Sequence, residues 1–194
     1  MKLTPAAIMA ASALALCAAT AHAAGGETVF RLKAIQIEPD VDSDVPGIDL
    51  DGATGGELGF TSFLSDHWAI DLGAGTTKHD ITYFGMDAGS LKLLPVNLML
   101  QFHFAPNAAF RPYIGAGGNY THFYDVSVPG GLADVDHDVF GPAAQAGFDI
   151  PLGKTVLFNV DAKKIWMETD MHGAASGNLK LDPWVFGAGL GFRF

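Results

Sequence analysis

His79 and Asp80, taken with Ser90 or Ser65, are the residue types of a hydrolytic triad, in which a carboxylate orients an imidazole that draws the proton from a serine. Neither serine has the glycine-flanked elbow that presents such a nucleophile. Asp40, Asp42 and Asp44 with Asp51 imitate the spacing of a calcium loop, but Val45 stands at the sixth position, where the sharp turn wants glycine. Asp134, Asp136, His137 and Asp138 could hold a metal or simply keep a loop in water. The expectation is therefore no catalytic residue, no metal and no cofactor, with an enzyme kept as a runner-up. Charges embedded in alternating apolar stretches have a stricter meaning, because wherever such groups are buried they must be paired.

The two ends of the chain indicate what positions those charges. Trp184 to Phe194 alternates two kinds of side chain: Phe186, Ala188, Leu190, Phe192 and Phe194 against Gly187, Gly189, Gly191 and Arg193. That is the pattern of a transmembrane β-barrel strand with one face to lipid and one to the lumen. Phe192 and the terminal Phe194 also match the signal through which the barrel assembly machinery engages bacterial barrels. Gly189 fits it too, while Gly187 stands where a polar residue is usual. At the other end, Lys2, an apolar run from Ala6 to Ala19 and the small-x-small Ala21-His22-Ala23 predict a cleaved secretory signal over residues 1–23. The run is too short to span a bilayer. A lipoprotein signal at Cys17 competes, but Leu16 precedes that cysteine where a small residue is normal.

Composition fits a barrel in the outer membrane of a Gram-negative cell. Loss of residues 1–23 removes the single cysteine and Lys2, leaving ten Lys and Arg against 21 Asp and Glu, a net charge of −11. A nucleic-acid partner is excluded on that charge. Hydrophobic residues make up 49% of the chain, glycine is abundant at 24, and beyond residue 23 no stretch approaches eighteen consecutive apolar residues. Strands that show alternate side chains to lipid reconcile these features.

Alternating runs bounded by turn signals predict an all-β, eight-stranded antiparallel transmembrane barrel over residues 24–194. The strands fall near 28–38, 55–64, 68–77, 91–104, 111–124, 140–150, 155–167 and 179–194. Connections at 65–67, 105–110 and 151–154 are short; those at 39–54, 78–90, 125–139 and 168–178 are long. Short periplasmic turns and long extracellular loops explain that alternation, and they put Ser65 and His79 on opposite sides of the membrane. Because Arg or Lys on the lipid face costs about 2–4 kcal/mol near the midplane, Arg31 and Lys33 must point inward. Asp71 fixes the third strand likewise, and in the fourth Leu94, Val96, Leu98, Leu100, Phe102 and Phe104 form an outer face. Trp68, Phe102, Phe104, Phe192 and Phe194 then form an aromatic girdle at the periplasmic interface.

Sorted by height, the inward residues make a lumen of two storeys. Arg31, Lys33, Asp71, Gln101, His103, Gln145, Asp149, Asn159, Asp161 and Arg193 form a polar periplasmic plug, because an eight-stranded barrel is barely wide enough for its own side chains. Ile35, Ile37, Phe123, Ile165, Met167 and Val185 line an apolar storey above it, with Gly117 and Gly187 leaving room. Lys163 either caps the plug beside Asp161 or narrows the funnel floor, and Lys164 snorkels outward or marks a bulge. Pro39, Pro95, Pro142 and Pro183 fall at upper strand ends. They either leave a lateral gap, since proline cannot donate to a ladder, or merely end strands.

Several blocks together resemble the OmpW family. They include Arg31-Leu32-Lys33-Ala34-Ile35 with Pro39-Asp40, Leu94-Pro95, Leu98 to Phe104, and Arg111 to Gly117 with Asn119-Tyr120-Thr121. Phe140 to Asp149 and Asp182-Pro183-Trp184-Val185 continue the match in the same order. The resemblance implies an eight-stranded barrel with an apolar channel that passes small hydrophobic molecules across the outer membrane. With the polar plug below, release would run sideways into the bilayer. The partners expected are outer-membrane lipid and lipopolysaccharide, a small hydrophobic solute and the assembly machinery acting on Phe194. A non-transporting barrel serving as an adhesin or as a phage or bacteriocin receptor is the alternative.

Overall fold

The computed structural model describes residues 26–43, 48–83, 86–127, 133–135, 138–173 and 177–194. Among them are thirteen strands and no helix: β1 (Thr28–Glu38), β2 (Val41–Ser43), β3 (Ile48–Leu50), β4 (Ala53–Phe63), β5 (Trp68–Tyr83), β6 (Met86–His103), β7 (Arg111–Ser127), β8 (Ala133–Val135), β9 (Asp138–Pro151), β10 (Val156–Ile165), β11 (Met167–Gly173), β12 (Gly177–Leu181) and β13 (Trp184–Arg193). Eight of them close a barrel. β1, β4, β5, β6, β7, β9, β10 and β13 each pair antiparallel with the next, and β13 returns to β1, with Val29 opposite Arg193 and Glu38 opposite Trp184. Closure gives every wall strand a paired neighbour on both sides, the condition for crossing lipid with strands.

Period-2 alternation decides which side chain goes where. In β10, buried and half-exposed residues alternate over all ten positions. Arg31 and Asp71 lie buried in the lumen, as their charge requires, while Leu32, Leu58, Leu98, Leu100, Ile114, Phe186 and Leu190 stand exposed on the outer face. Trp68, Phe102 and Phe104 contact one another in edge-on pairs with ring centroids 5.0 and 5.3 Å apart, near the rim that carries the short turns at 64–67, 104–110 and 152–155. That rim, where Thr28 and Phe194 also pair, is the lower one.

Two expectations about the upper end are corrected. The expected loop at 78–90 is largely strand, because β5 continues to Tyr83 and β6 begins at Met86, with Lys78 opposite Lys92 and Asp80 opposite Ser90. These strands are 16 and 18 residues long, whereas a barrel strand needs about 9–11 residues to cross the bilayer, so the pair projects beyond it. The expected strands 155–167 and 179–194 are each divided. Ile165 donates its N–H to the Pro183 carbonyl at 3.1 Å and Trp166 to the Pro142 carbonyl at 3.0 Å, after which the chain leaves the wall. Pro183 has no N–H with which to continue the ladder. β11 and β12 instead form a hairpin in a second sheet, ordered β2-β12-β11-β8.

Candidate functional site: the barrel lumen

Four charges from three wall strands meet at mid-height. β1 sends in Lys33, β4 Glu57 and β10 both Asp161 and Lys163, and all four are buried. The Lys33 ammonium lies 2.6 Å from Glu57 Oε1 and 2.9 Å from Asp161 Oδ1. Lys163 donates to both oxygens of Glu57 at 2.9 Å and sits 3.1 Å from Asp161 Oδ2. The result is a neutral ring in which each charge touches two of opposite sign. Gln145 donates to Asp161 at 2.8 Å and accepts from Gln101 at 2.9 Å, extending the ring across the lumen. Lys163 thus stands beside Asp161 in the polar layer. Glu57 is the member that sequence reasoning missed, although the rule that placed Arg31 inward applies to it equally.

A second polar cluster lies toward the lower rim. Arg31 holds Asp149 at 2.9 Å and Asp71 at 3.4 Å and also donates to Thr61, which donates to Asp71 at 2.5 Å. Asn159 ties this group together by donating to Asp149 at 2.8 Å and to the Tyr113 hydroxyl at 2.9 Å. His103 stacks on Tyr113 at 4.9 Å, and its Nε2 lies 3.2 Å from Gln101. Thr61 and Tyr113 carry no charge and so gave no signal of their direction. Arg193 is not part of this network: it stands at the lower rim, 3.0 Å from Glu27. Beneath the polar groups Val29 and Leu157 are buried, and with His103, Asp149 and Arg193 they line a recess at the lower rim.

Above the ring, Ile35, Ile37, Phe123, Ile165, Met167 and Val185 are buried in one cluster with Leu93, Met99, Val139 and Ala143. This storey is filled by its own side chains. The room expected at Gly187 is occupied, since an added Cβ would meet the Asp161 carboxylate at 2.6 Å, and at Gly117 the β6 backbone approaches closely. Near the top, His79 turns inward, its Nδ1 2.8 Å from the Asp51 carbonyl and its Nε2 3.1 Å from the Thr77 hydroxyl. Asp80 points outward to Lys78 at 3.2 Å, and Ser65 lies in a lower turn, where it accepts from the Trp68 N–H at 3.1 Å. Those residues therefore do not converge on a triad. Asp138 accepts from Tyr120 at 2.5 Å and lies 2.7 Å from His122; Asp44, Asp136 and His137 lie outside the described residues. Asp40 is exposed, 3.8 Å from Lys164, whose ammonium donates to the Asp182 carbonyl and lies 5.4 Å from the Trp184 ring.

The four prolines differ in their surroundings. Pro39 and Pro183 flank the last β1–β13 pair, Glu38 with Trp184, and so end strands. Pro142 faces outward within an unbroken β7–β9 ladder. Pro95 interrupts a ladder inside the wall. β5 and β6 pair through Ala74 with Val96 and resume at Thr77 with Leu93 in the same register, skipping Gly75 opposite Pro95 and Thr76 opposite Leu94. On the other side of β6, Pro95 still pairs with Thr121.

The model of the OmpW family matches residues 17–194. Outer membrane protein W of Escherichia coli is 31% identical over an alignment of 213 residues that covers both chains completely. An uncharacterized outer-membrane protein of Sinorhizobium fredii, y4mB, is 41% identical across 77% of this chain and 71% of its own. The dibenzothiophene metabolism operon protein PahQ of Pseudomonas aeruginosa is 29% identical over 77% of both. Among solved structures, the outer membrane protein OprG from Pseudomonas aeruginosa superposes with a TM-score of 0.73 at 26% identity, covering 87% of this chain and 96% of that one.

Proposed function

The chain belongs to the OmpW family of outer-membrane barrels, and from that premise we propose that it admits small apolar molecules into its upper lumen and releases them sideways into the bilayer beside Pro95. The observation that carries this reading is the order of layers: an apolar cluster directly above a closed ring of four buried charges. A solute moving straight down must part that ring, and breaking a buried pair costs about 3–5 kcal/mol. A solute leaving between Gly75 and Pro95 crosses the wall where the β5–β6 ladder already lacks a donor, so it parts fewer ladder bonds than it would elsewhere. Met99 and Met167, whose unbranched chains repack readily, let the filled storey accommodate a guest. The relative named for dibenzothiophene metabolism suggests fused aromatic compounds as one solute class.

The test is a disulfide across the interruption. Thr76 and Leu94 stand directly opposite on the outer face, a separation of about 4.5–5.5 Å between Cα atoms in antiparallel pairs, which suits a disulfide. Uptake of labelled naphthalene by cells carrying Thr76→Cys with Leu94→Cys should fall to background when the bridge is oxidised and recover on reduction. Equal uptake in both states, with the bridge verified, would remove the lateral route.

A further inference from the structure

We propose that Tyr124 and Thr76 form a strap that holds the lateral opening closed on its outer side, an inference that rests on the lateral route proposed above. Thr76 belongs to β5 and Tyr124 to β7, yet their hydroxyls lie 2.9 Å apart. The contact therefore passes over the outer face of β6, the strand between them. It does so at the interruption itself, since Thr76 and Leu94 are one of the two skipped pairs and Tyr124 stands opposite Lys92, the next outward residue of β6.

The inner side of the same spot abuts the apolar storey. Gly75, opposite Pro95, has no side chain, and a Cβ built there would lie 3.1 Å from Ile35 Cδ1. Ile35, Gly75, the interruption and the Tyr124–Thr76 contact thus follow one another from lumen to exterior. Just above, the exposed Lys78–Asp80 pair marks the polar edge of the wall, whereas Leu98 and Leu100 lie exposed below on β6. A solute released under the strap enters the acyl region next to the headgroups. The phenol ring is also a flat apolar cover, flanked by the parallel ring of His122 at 6.4 Å. While the hydrogen bond holds, β5 and β7 are tied across the weak point; when it breaks, the ring can swing aside without loss of any ladder bond.

Tyr124→Phe removes the hydroxyl and keeps the ring, and Thr76→Val removes the partner hydroxyl at equal volume. Each should raise the initial rate of labelled naphthalene uptake about fivefold, the population change equivalent to one ordinary hydrogen bond. The double variant should be no faster than either single one, because both remove the same bond. Rates are compared per folded barrel in the outer membrane, alongside the oxidised Thr76→Cys, Leu94→Cys protein. Unchanged or slower uptake in both single variants, with the disulfide still blocking, would overturn the strap and leave the lateral route standing. Uptake undiminished by the disulfide would overturn both.

Discussion

Glu57 supplies three of the five ammonium–carboxylate contacts in the mid-height ring, at 2.6, 2.9 and 2.9 Å, while Asp161 supplies two at 2.9 and 3.1 Å. Glu57→Gln keeps the shape but leaves two buried ammonium groups sharing one carboxylate. Removing one partner of a buried ion pair costs about 3–5 kcal/mol, and that is the destabilisation expected. Lys163→Met should cost a similar amount, because two carboxylates then share Lys33. The double variant returns to a neutral Lys33–Asp161 pair at 2.9 Å, so it should be more stable than the sum of the single losses by about 2 kcal/mol or more. Urea unfolding of barrels refolded into phospholipid vesicles, followed by tryptophan fluorescence, measures all four proteins. Single losses that simply add, within about 0.5 kcal/mol, would refute the reasoning that the ring acts as one neutral unit.

Three further outcomes follow from the wall. Gly147→Ala places a Cβ 2.6 Å from the Tyr113 hydroxyl and 2.7 Å from the Val160 carbonyl, so it should cost about 1–3 kcal/mol in the same unfolding assay, whereas Gly56→Ala, with nothing within 4 Å, should change stability by less than about 0.5 kcal/mol. Pro95→Ala restores a ladder donor; it should stabilise the barrel by about 0.5–1.5 kcal/mol and slow naphthalene uptake, and faster uptake would contradict the role given to the interruption. Phe194 is 81% exposed, so Phe194→Ala should leave the unfolding midpoint of refolded barrel nearly unchanged while lowering the amount of folded barrel that reaches the outer membrane, measured by heat-modifiable migration on gels.

Where sequence reasoning succeeded, it had a charge to work with. A lysine or arginine cannot face lipid, so Arg31 and Lys33 fixed the parity of β1 and with it the inward course of Ile35 and Ile37. Glu57 obeys the same rule and was readable in principle. Thr61, Tyr113 and Asn119 were harder, because uncharged polar residues occur on either face, whereas Asn97 follows from the outer face that Leu94 to Phe104 set on β6; in the fold it accepts from Asn119 at 2.9 Å inside the barrel. The upper end was hardest to read. Alternation that continues beyond the membrane looks like loop when its outward residues are Lys78 and Asp80, and His79 between them gave no sign that its ring is buried. Nor could the sequence distinguish Pro95, which interrupts a ladder, from Pro39 and Pro183, which end strands, since that depends on which neighbouring strand the missing N–H would have faced.

The most direct test of an apolar conduit through the upper lumen changes the storey itself. Ile35, Phe123 and Met167 belong to one buried cluster, and replacing all three with Asp makes it polar while leaving the ring below untouched. Uptake of labelled naphthalene would be compared between cells carrying the unaltered protein and cells carrying this variant, at equal amounts of folded barrel in the outer membrane. Fast uptake with the unaltered protein and background uptake with the variant is the predicted result. Equal uptake with both would contradict the conduit and favour a barrel that acts through its outer surface.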